Sequence, residues 1–510
     1  MASYIMLQGT SSHVGKSILT TALCRIFYQD GRRVVPFKAQ NMALNSYVTR
    51  DGMEMGRAQA AQAEAAGIDP VVDMNPVLLK PTGSCCSQVI INGRPIGNMS
   101  AREYHSGYSL KAFEAVREAL FRLDHLYDTL VIEGAGSPAE VNLKAYDIVN
   151  MRVAKHLQAP VLLVADIDRG GALAALVGTL ELLDEEERRL VRGLVINKFR
   201  GDVTLLQPAV DFLQKKTGKP VLGIIPYIER LGIDEEDSVS LEEKQMVPIG
   251  DGLRIAVIQT PKISNFTDFS SLAAEPDVSL YYVKEAASWG TPQMILLPGS
   301  KNTLEDMLYL RDSGLADRIC RASAAGVPVI GICGGYQMLG SELCDPQETE
   351  SSQGRITGLG LLPLRTVFSV EKITVQVAAE CRALHFMGQE ITVTGLSGYE
   401  IHSGRTMSTG SGQYPFQTAG SNGSTAREQE GMAREDGLVF GTYIHGIFDH
   451  DGFRRQLLNA LRQSLGMPPL PEMRSAYQEK QAAYDRLAAI VRKNLDMTML
   501  AQIMKIEGAS

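Results

Sequence analysis

The chain has 510 residues, 45% of them hydrophobic and 21% charged, with a formal net charge of -8. That length exceeds one ordinary domain, and the composition is that of a globular protein with ample material for a core. The negative balance leaves no basic footprint, which argues against nucleic acid as a partner and requires local cations to hold any acidic substrate.

Seven cysteines in so long a chain do not suggest a disulfide framework. The opening residues, MASYIMLQGT, carry neither a basic region nor a long apolar segment and read as a strand entering a turn. No window approaches the roughly 20 apolar residues of a membrane span. The expectation is a cytoplasmic protein with no membrane partner.

In chain order, the first half alternates strand candidates (YIMLQ, RVVPFK, LVIEGAG, VLLVADID, GLVINKF, VLGIIP) with helical patterns. Between the first two strands, ILTTALCRIFYQ places Ile18, Leu19, Ala22, Leu23, Ile26 and Phe27 on one helical face, and Asp30-Gly31 ends it. Residues 234–251, DEEDSVSLEEKQMVPIGD, are acidic and aperiodic and read as a linker. A second alternation follows (LRIAVIQT, VSLYYVK, MILLPGS, VPVIGIC), with a helical stretch from about Thr303 to Ala325. Residues 406–436 are rich in Gly, Ser and Thr and read as a long surface loop. The fold class is therefore α/β: two tandem three-layer domains with mainly parallel sheets and a helical tail. The boundaries fall at 1–233, linker 234–251, 252–455 and a helical segment 456–510, where RSAYQEKQAAYDRLAAIVRKNL is the clearest amphipathic run.

GTSSHVGKS follows the first strand and opens the first helix, the setting in which backbone N–H groups and a helix N-terminus wrap phosphates. Gly9 and Gly15 shape the loop, Lys16 reaches the outer phosphates, and the Ser17 hydroxyl binds magnesium. Five residues, not the usual four, separate the two glycines. Glu133 ends the apolar strand LVIE, as a magnesium ligand or as a solvated carboxylate. Asn197, in VINKFRGD, is a purine contact or turn chemistry. Lys38, closing RVVPFK, is a further cation at the phosphates or an ordinary exposed lysine.

GICGGYQMLG puts Cys333 where a strand turns through glycines into a helix. Glycines tolerate such an elbow and leave room for substrate and for N–H donors, while the helix N-terminus favours thiolate over thiol. The expectation is an exposed, attacking sulfur. His445, just after the apolar run VFGTYI, is the candidate base. Cys24 lies on the apolar helix face and reads as a small core residue. Cys85-Cys86 has no partner pair at zinc spacing, so zinc is not expected.

The long glycine spacing, with Glu133 and Asn197, resembles the dethiobiotin synthetase-like P-loop branch, which implies ATP with magnesium as cosubstrate and no tightly bound cofactor. The Cys333 elbow, with PGSKNT (298–303), resembles the triad-type glutamine amidotransferases. That likeness implies attack of Cys333 on the glutamine amide with His445 as base. Most members carry a Glu two residues after the histidine; here that position is Ile447, and Glu400 and His402 are possible stand-ins.

The order of the two parts resembles the corrinoid amidases of cobalamin synthesis, above all the cobyric acid synthase family. PFKAQNMALNSYVT (36–49), IEGAGSPAEVNL (132–143), LPGSKNT (297–303), GICGGYQMLG (331–340) and GYEIHSGRT (398–406) carry the resemblance. It implies glutamine and a corrinoid polycarboxylate as partners. The reaction implied is amidation of side chains b, d, e and g of adenosylcobyrinic acid a,c-diamide. Asn41, Asn45 and Asp147 lie in these signatures as corrinoid-side candidates or as turn and helix caps. The rivals are an a,c-diamide synthase, another polycarboxylate amidase, and a P-loop switch carrying a degenerate amidotransferase domain.

Overall fold

The computed structural model describes residues 2–82, 86–229, 231–233, 246, 248, 250, 252–419, 428–471 and 473–506. The chain divides into two compact units. The first comprises Met1–Ala43, Glu54–Glu236 and Lys480–Ser510; the second comprises Leu44–Met53 and Asp237–Glu479.

In the first unit a six-stranded sheet runs in the order Val221–Pro226, Val191–Phe199, Val161–Asp166, Ser3–Gly9, Thr129–Glu133, Val34–Phe37, every neighbouring pair parallel. Its central strands are unbroken apolar runs because both faces are covered. Leu19, Ala22, Leu23, Ile26 and Phe27 of the helix Lys16–Gln29 are buried in that core, together with Tyr484, Leu487, Ala488 and Val491 of Ala476–Asn494. A four-stranded side sheet orders Gln40–Met42, Val77–Pro81, Cys86–Ile91 and Arg94–Ser100.

In the second unit the sheet order is Val278–Val283, Leu253–Ile258, Met294–Leu297, Val329–Ile332, Val439–Thr442, Met432–Ala433, parallel except for the last pair. The stretch read as one helix from Thr303 divides into Thr303–Asp312 and Leu315–Ala324, parted at Gly314 with φ +72°. A second sheet contains a long antiparallel ladder, Leu364–Phe386 with Gln389–Ser408. Met387 (φ 51°) and Gly388 (φ 76°) close it in the left-handed conformations a tight hairpin turn needs.

Three expectations change. The helical tail is not a separate segment after 455, because 480–510 belongs to the first unit. Its apolar stripe is completed by the core it joins. Residues 44–53, read as part of the first domain, belong to the second unit. The 406–436 loop contains strands Phe416–Thr418, Glu428–Glu430 and Met432–Ala433, and its start lies in Gln389–Ser408. Phe416 and Met432, each 1% exposed, supply the burial that a Gly/Ser count hides. Residues 420–427, Cys85 and nearly all of 234–251 lie outside the described residues. Among the described residues, no helix is long and apolar enough to cross a membrane.

Candidate active sites

The phosphate loop joins Ser3–Gly9 to the helix Lys16–Gln29. Gly15 sits at φ +95°, and a Cβ there would come within 2.1 Å of Asn197 Nδ2, so only glycine fits. Asn197 donates from Nδ2 to the Val14 carbonyl at 2.7 Å, and Lys198 Nζ to the His13 carbonyl at 2.8 Å. In this structure the Asn197 carboxamide therefore braces the loop. Past it, Arg200, Asp202, Pro226, Tyr227 and Glu229 line a cavity in which the Arg200 guanidinium stacks 3.4 Å from the Tyr227 ring centre. Lys16 Nζ donates to the carbonyls of Ser11 (3.0 Å) and Gly136 (3.2 Å).

Glu133 is 1% exposed, which rules out the solvated carboxylate. Its Oε1 accepts from Ser17 Oγ at 2.8 Å and from Lys38 Nζ at 2.9 Å; its Oε2 accepts from Gln62 Nε2 at 2.7 Å. Burial opposes its ionisation, but the Lys38 ammonium and these hydrogen bonds outweigh that and hold its pKa below the ordinary value. Lys38 is itself 5% exposed, so it is no ordinary surface lysine. Magnesium takes oxygens at about 2.1 Å in an octahedron, whose edge is about 3 Å. The Ser17 and Glu133 oxygens, 2.8 Å apart, fit two adjacent corners. Gln62 was not legible beforehand: in RAQAAQAEA it reads as a polar helix residue, yet Gln59 and Gln62 are fully buried.

Asn41 is buried and donates to Gln59 Oε1 at 3.0 Å; Asn45 is 1% exposed. Asp147 Oδ1 accepts from the backbone N–H groups of Val149 and Asn150 just before the helix Met151–Leu157, a turn-capping role. Burial raises its pKa.

At the thiol site, Val329–Ile332 delivers Cys333 in a strained conformation, φ 51°, ψ −107°, ahead of Gly334–Leu339. A strained residue set between a strand and a helix in this way has the geometry of a nucleophile elbow. A Cβ on Gly334 would fall 2.7 Å from the Ser300 nitrogen, so the glycine lets PGSKNT bring its amides beside the elbow. The sulfur is not exposed as expected: Cys333 is 6% exposed, and its Sγ donates to the Ile401 carbonyl at 3.5 Å. The strand Gln389–Ser408 supplies that cover, which the elbow's own sequence could not reveal.

His445 is fully buried. Its Nδ1 lies 2.7 Å from Asp268 Oδ2, and Asp268 Oδ1 accepts from the Gly446 N–H at 3.0 Å. Burial disfavours the imidazolium, but the neighbouring Asp268 and Cys333 outweigh it and raise the His445 pKa to about 10. The group that faces His445 Nδ1 is thus Asp268, in NFTDF, and not Glu400 or His402. His402 Nε2 instead faces Glu400 at 3.4 Å, and its ring stacks on Tyr443 at 3.6 Å. Sequence reasoning sought the acid near the histidine; the one signal for Asp268 was a carboxylate set among Phe266 and Phe269.

Behind the elbow, Glu430 accepts from Thr442 Oγ1 at 2.5 Å and from the Tyr443 N–H at 2.6 Å. Burial, with Glu400 nearby, pushes its pKa from 4.5 to about 8. Below its ordinary value both folded and unfolded states are protonated and its stabilisation is fully present. As pH rises towards 8 the folded state keeps a proton that the unfolded state has lost, so stability falls. Thermal melts should show the melting temperature dropping by several degrees between about pH 5 and pH 8. Glu430→Gln, which mimics the protonated acid, should flatten that drop.

The phosphate-type loop and the thiol elbow are features of a nucleotide-binding unit followed by a glutamine amidotransferase unit, and comparison with known proteins gives the same two families. Residues 5–240 match the CobQ/CobB/MinD/ParA nucleotide binding domain, and residues 254–453 match the CobB/CobQ-like glutamine amidotransferase domain. The chain is 53% identical to a cobyric acid synthase of Pelotomaculum thermopropionicum, covering 100% of this chain and 98% of the relative. It is 52% identical to that of Moorella thermoacetica (99% and 98% covered) and 51% identical to that of Desulfitobacterium hafniense (99% and 98%). The chain belongs to the cobyric acid synthase family, carbon–nitrogen ligases of cobalamin biosynthesis.

Proposed function

We propose that this chain uses ATP and glutamine to amidate side chains b, d, e and g of adenosylcobyrinic acid a,c-diamide, giving adenosylcobyric acid. Cys333 attacks the glutamine amide carbon; His445 takes the thiol proton and passes one to the leaving nitrogen, releasing ammonia and a glutamyl thioester that water hydrolyses. Asp268 accepts from Nδ1–H, which leaves Nε2 as the nitrogen that takes the thiol proton. In the first unit, Lys16 and the loop amides hold the triphosphate, and Ser17 and Glu133 would hold magnesium, which supplies charge neutralisation at the phosphates. Phosphoryl transfer to the corrinoid carboxylate gives an acyl phosphate, and ammonia displaces phosphate. The cavity at Arg200 and Tyr227 offers a flat cationic stack for the purine, while Asn197, open between a purine contact and turn chemistry, donates to the Val14 carbonyl.

The observation that carries the reading is the Cys333–His445–Asp268 set on a strained elbow, in a chain that also holds Ser17 and Glu133 together beneath a phosphate loop. Asp268, in the short 3-10 helix Phe266–Phe269, supplies the carboxylate at His445 that Ile447 does not, which supports an active second unit over a degenerate one. Incubating the protein with ATP, glutamine and the a,c-diamide should add four amides, each a fixed mass decrement seen by mass spectrometry. No mass change on that substrate, or amidation of a corrinoid that still lacks the a and c amides, overturns the assignment.

A further inference from the structure

One segment of the second unit comes from an unexpected part of the chain: the chain leaves the first unit at Ala43 and rejoins it at Glu54. Within the second unit, residues 44–53 are gripped by the long hairpin. Thr374 Oγ1 donates to the Gly52 carbonyl at 2.7 Å, and Gln376 Nε2 donates to the Val48 carbonyl. Ser46 is held through both of its backbone polar groups. Its N–H donates to Asn265 Oδ1 at 2.8 Å, and its carbonyl accepts from Tyr399 Oη at 3.0 Å.

Both residues that hold Ser46 also touch the base of the thiol site. Asn265 Nδ2 lies 3.4 Å from His445 Nε2, and the Tyr399 ring stacks on the imidazole at 5.1 Å and 16°. Tyr399 and His445 also exchange backbone hydrogen bonds in both directions. The Ser46 N–H settles which way the Asn265 carboxamide points: its oxygen must face Ser46, so its NH2 faces the imidazole. An amide donor there suits a neutral Nε2 and repels the Nε2–H of an imidazolium. It also competes with the thiol, whose proton is directed to the Ile401 carbonyl.

We propose that Asn265 and Tyr399 are positioning residues through which the Ser46 peptide restrains the His445 imidazole, and that the thiol site reaches full activity when residues 44–53 shift. Release frees the Asn265 carboxamide to turn its oxygen toward Nε2–H, which favours the imidazolium–thiolate pair. The chain supplies a route for such a signal. Upstream of Ser46 the same run carries Asn41, bonded to Gln59, and Lys38, paired with Glu133 where the phosphates belong. Nitrogen release is thereby tied to the state of the acid-activating site. This inference rests on the glutaminase reading of Cys333.

The test is glutamine hydrolysis without ATP or corrinoid, together with the pH profile of Cys333 alkylation by iodoacetamide. Among the described residues, the titratable groups against the imidazole are Asp268, Cys333 and Tyr399. Asn265→Ala should raise uncoupled hydrolysis about fivefold, the worth of one neutral hydrogen bond, and move alkylation to lower pH. The stimulation of hydrolysis by ATP plus the corrinoid diamide should shrink, while amidation from high ammonia stays unchanged. Tyr399→Phe keeps the ring on the imidazole and removes the hydroxyl that donates to Ser46, so it should give a smaller rise; it decides the matter if Asn265→Ala does not fold. Unchanged or lower uncoupled hydrolysis in the folded variants overturns the proposal. If wild-type hydrolysis survives Cys333→Ala, the glutaminase reading itself fails instead.

Discussion

Cys333→Ala should abolish glutamine-driven amidation and leave ammonia-driven amidation intact. The loss in glutamine-dependent rate is expected to be on the order of 10³-fold or more, because covalent catalysis has no substitute once the nucleophile is gone. The Ala side chain is smaller than Cys and keeps the elbow's backbone, so the variant should melt near the wild-type temperature. Asp268→Asn should cost nearly as much by another route. The carboxamide can present its NH2 to Nδ1, which favours the tautomer with the proton on Nε2, where it cannot accept from the thiol. A steady-state assay with glutamine, then with high ammonium at alkaline pH, separates these losses from damage to the ATP site. If ammonia fails to rescue Cys333→Ala, nitrogen release and amide formation are not divided between the two units as argued.

How much of this was legible beforehand follows from how local each signal is. The parallel strands and their order of appearance were readable because buried strands are apolar runs. The phosphate loop and the Cys333 elbow were readable because each is a contiguous strand–loop–helix. Asp268 was not: it lies 177 positions from His445, and nothing in NFTDF indicates which side chain it will face. Gln62 and Lys38 converge on Glu133 from separate elements, so their burial is a property of packing and not of their own neighbourhoods. The excursion at 44–53 was hidden by its place in chain order, and the cover over Cys333 because it comes from a hairpin strand. Residues 480–510 show the same effect, since an amphipathic stripe announces a helix without naming the core it joins.

Lys16→Ala should abolish amidation with either nitrogen source, in contrast to every change at the thiol site. Lys16 is 7% exposed, and its ammonium donates to the Ser11 and Gly136 carbonyls; in the proposed reaction it serves the outer phosphates. Those carbonyls repel phosphate unless a cation stands between them, so truncation removes a positive charge and leaves two acceptors facing an anion. The rate with ammonia should fall on the order of 10³-fold, the scale attached to losing a positioned charge on a transferring phosphoryl group. Glutamine hydrolysis in the absence of ATP should persist, because Cys333, His445 and Asp268 all lie in the other unit. Retained ammonia-driven amidation by folded Lys16→Ala would mean that the acid is activated elsewhere than at this loop.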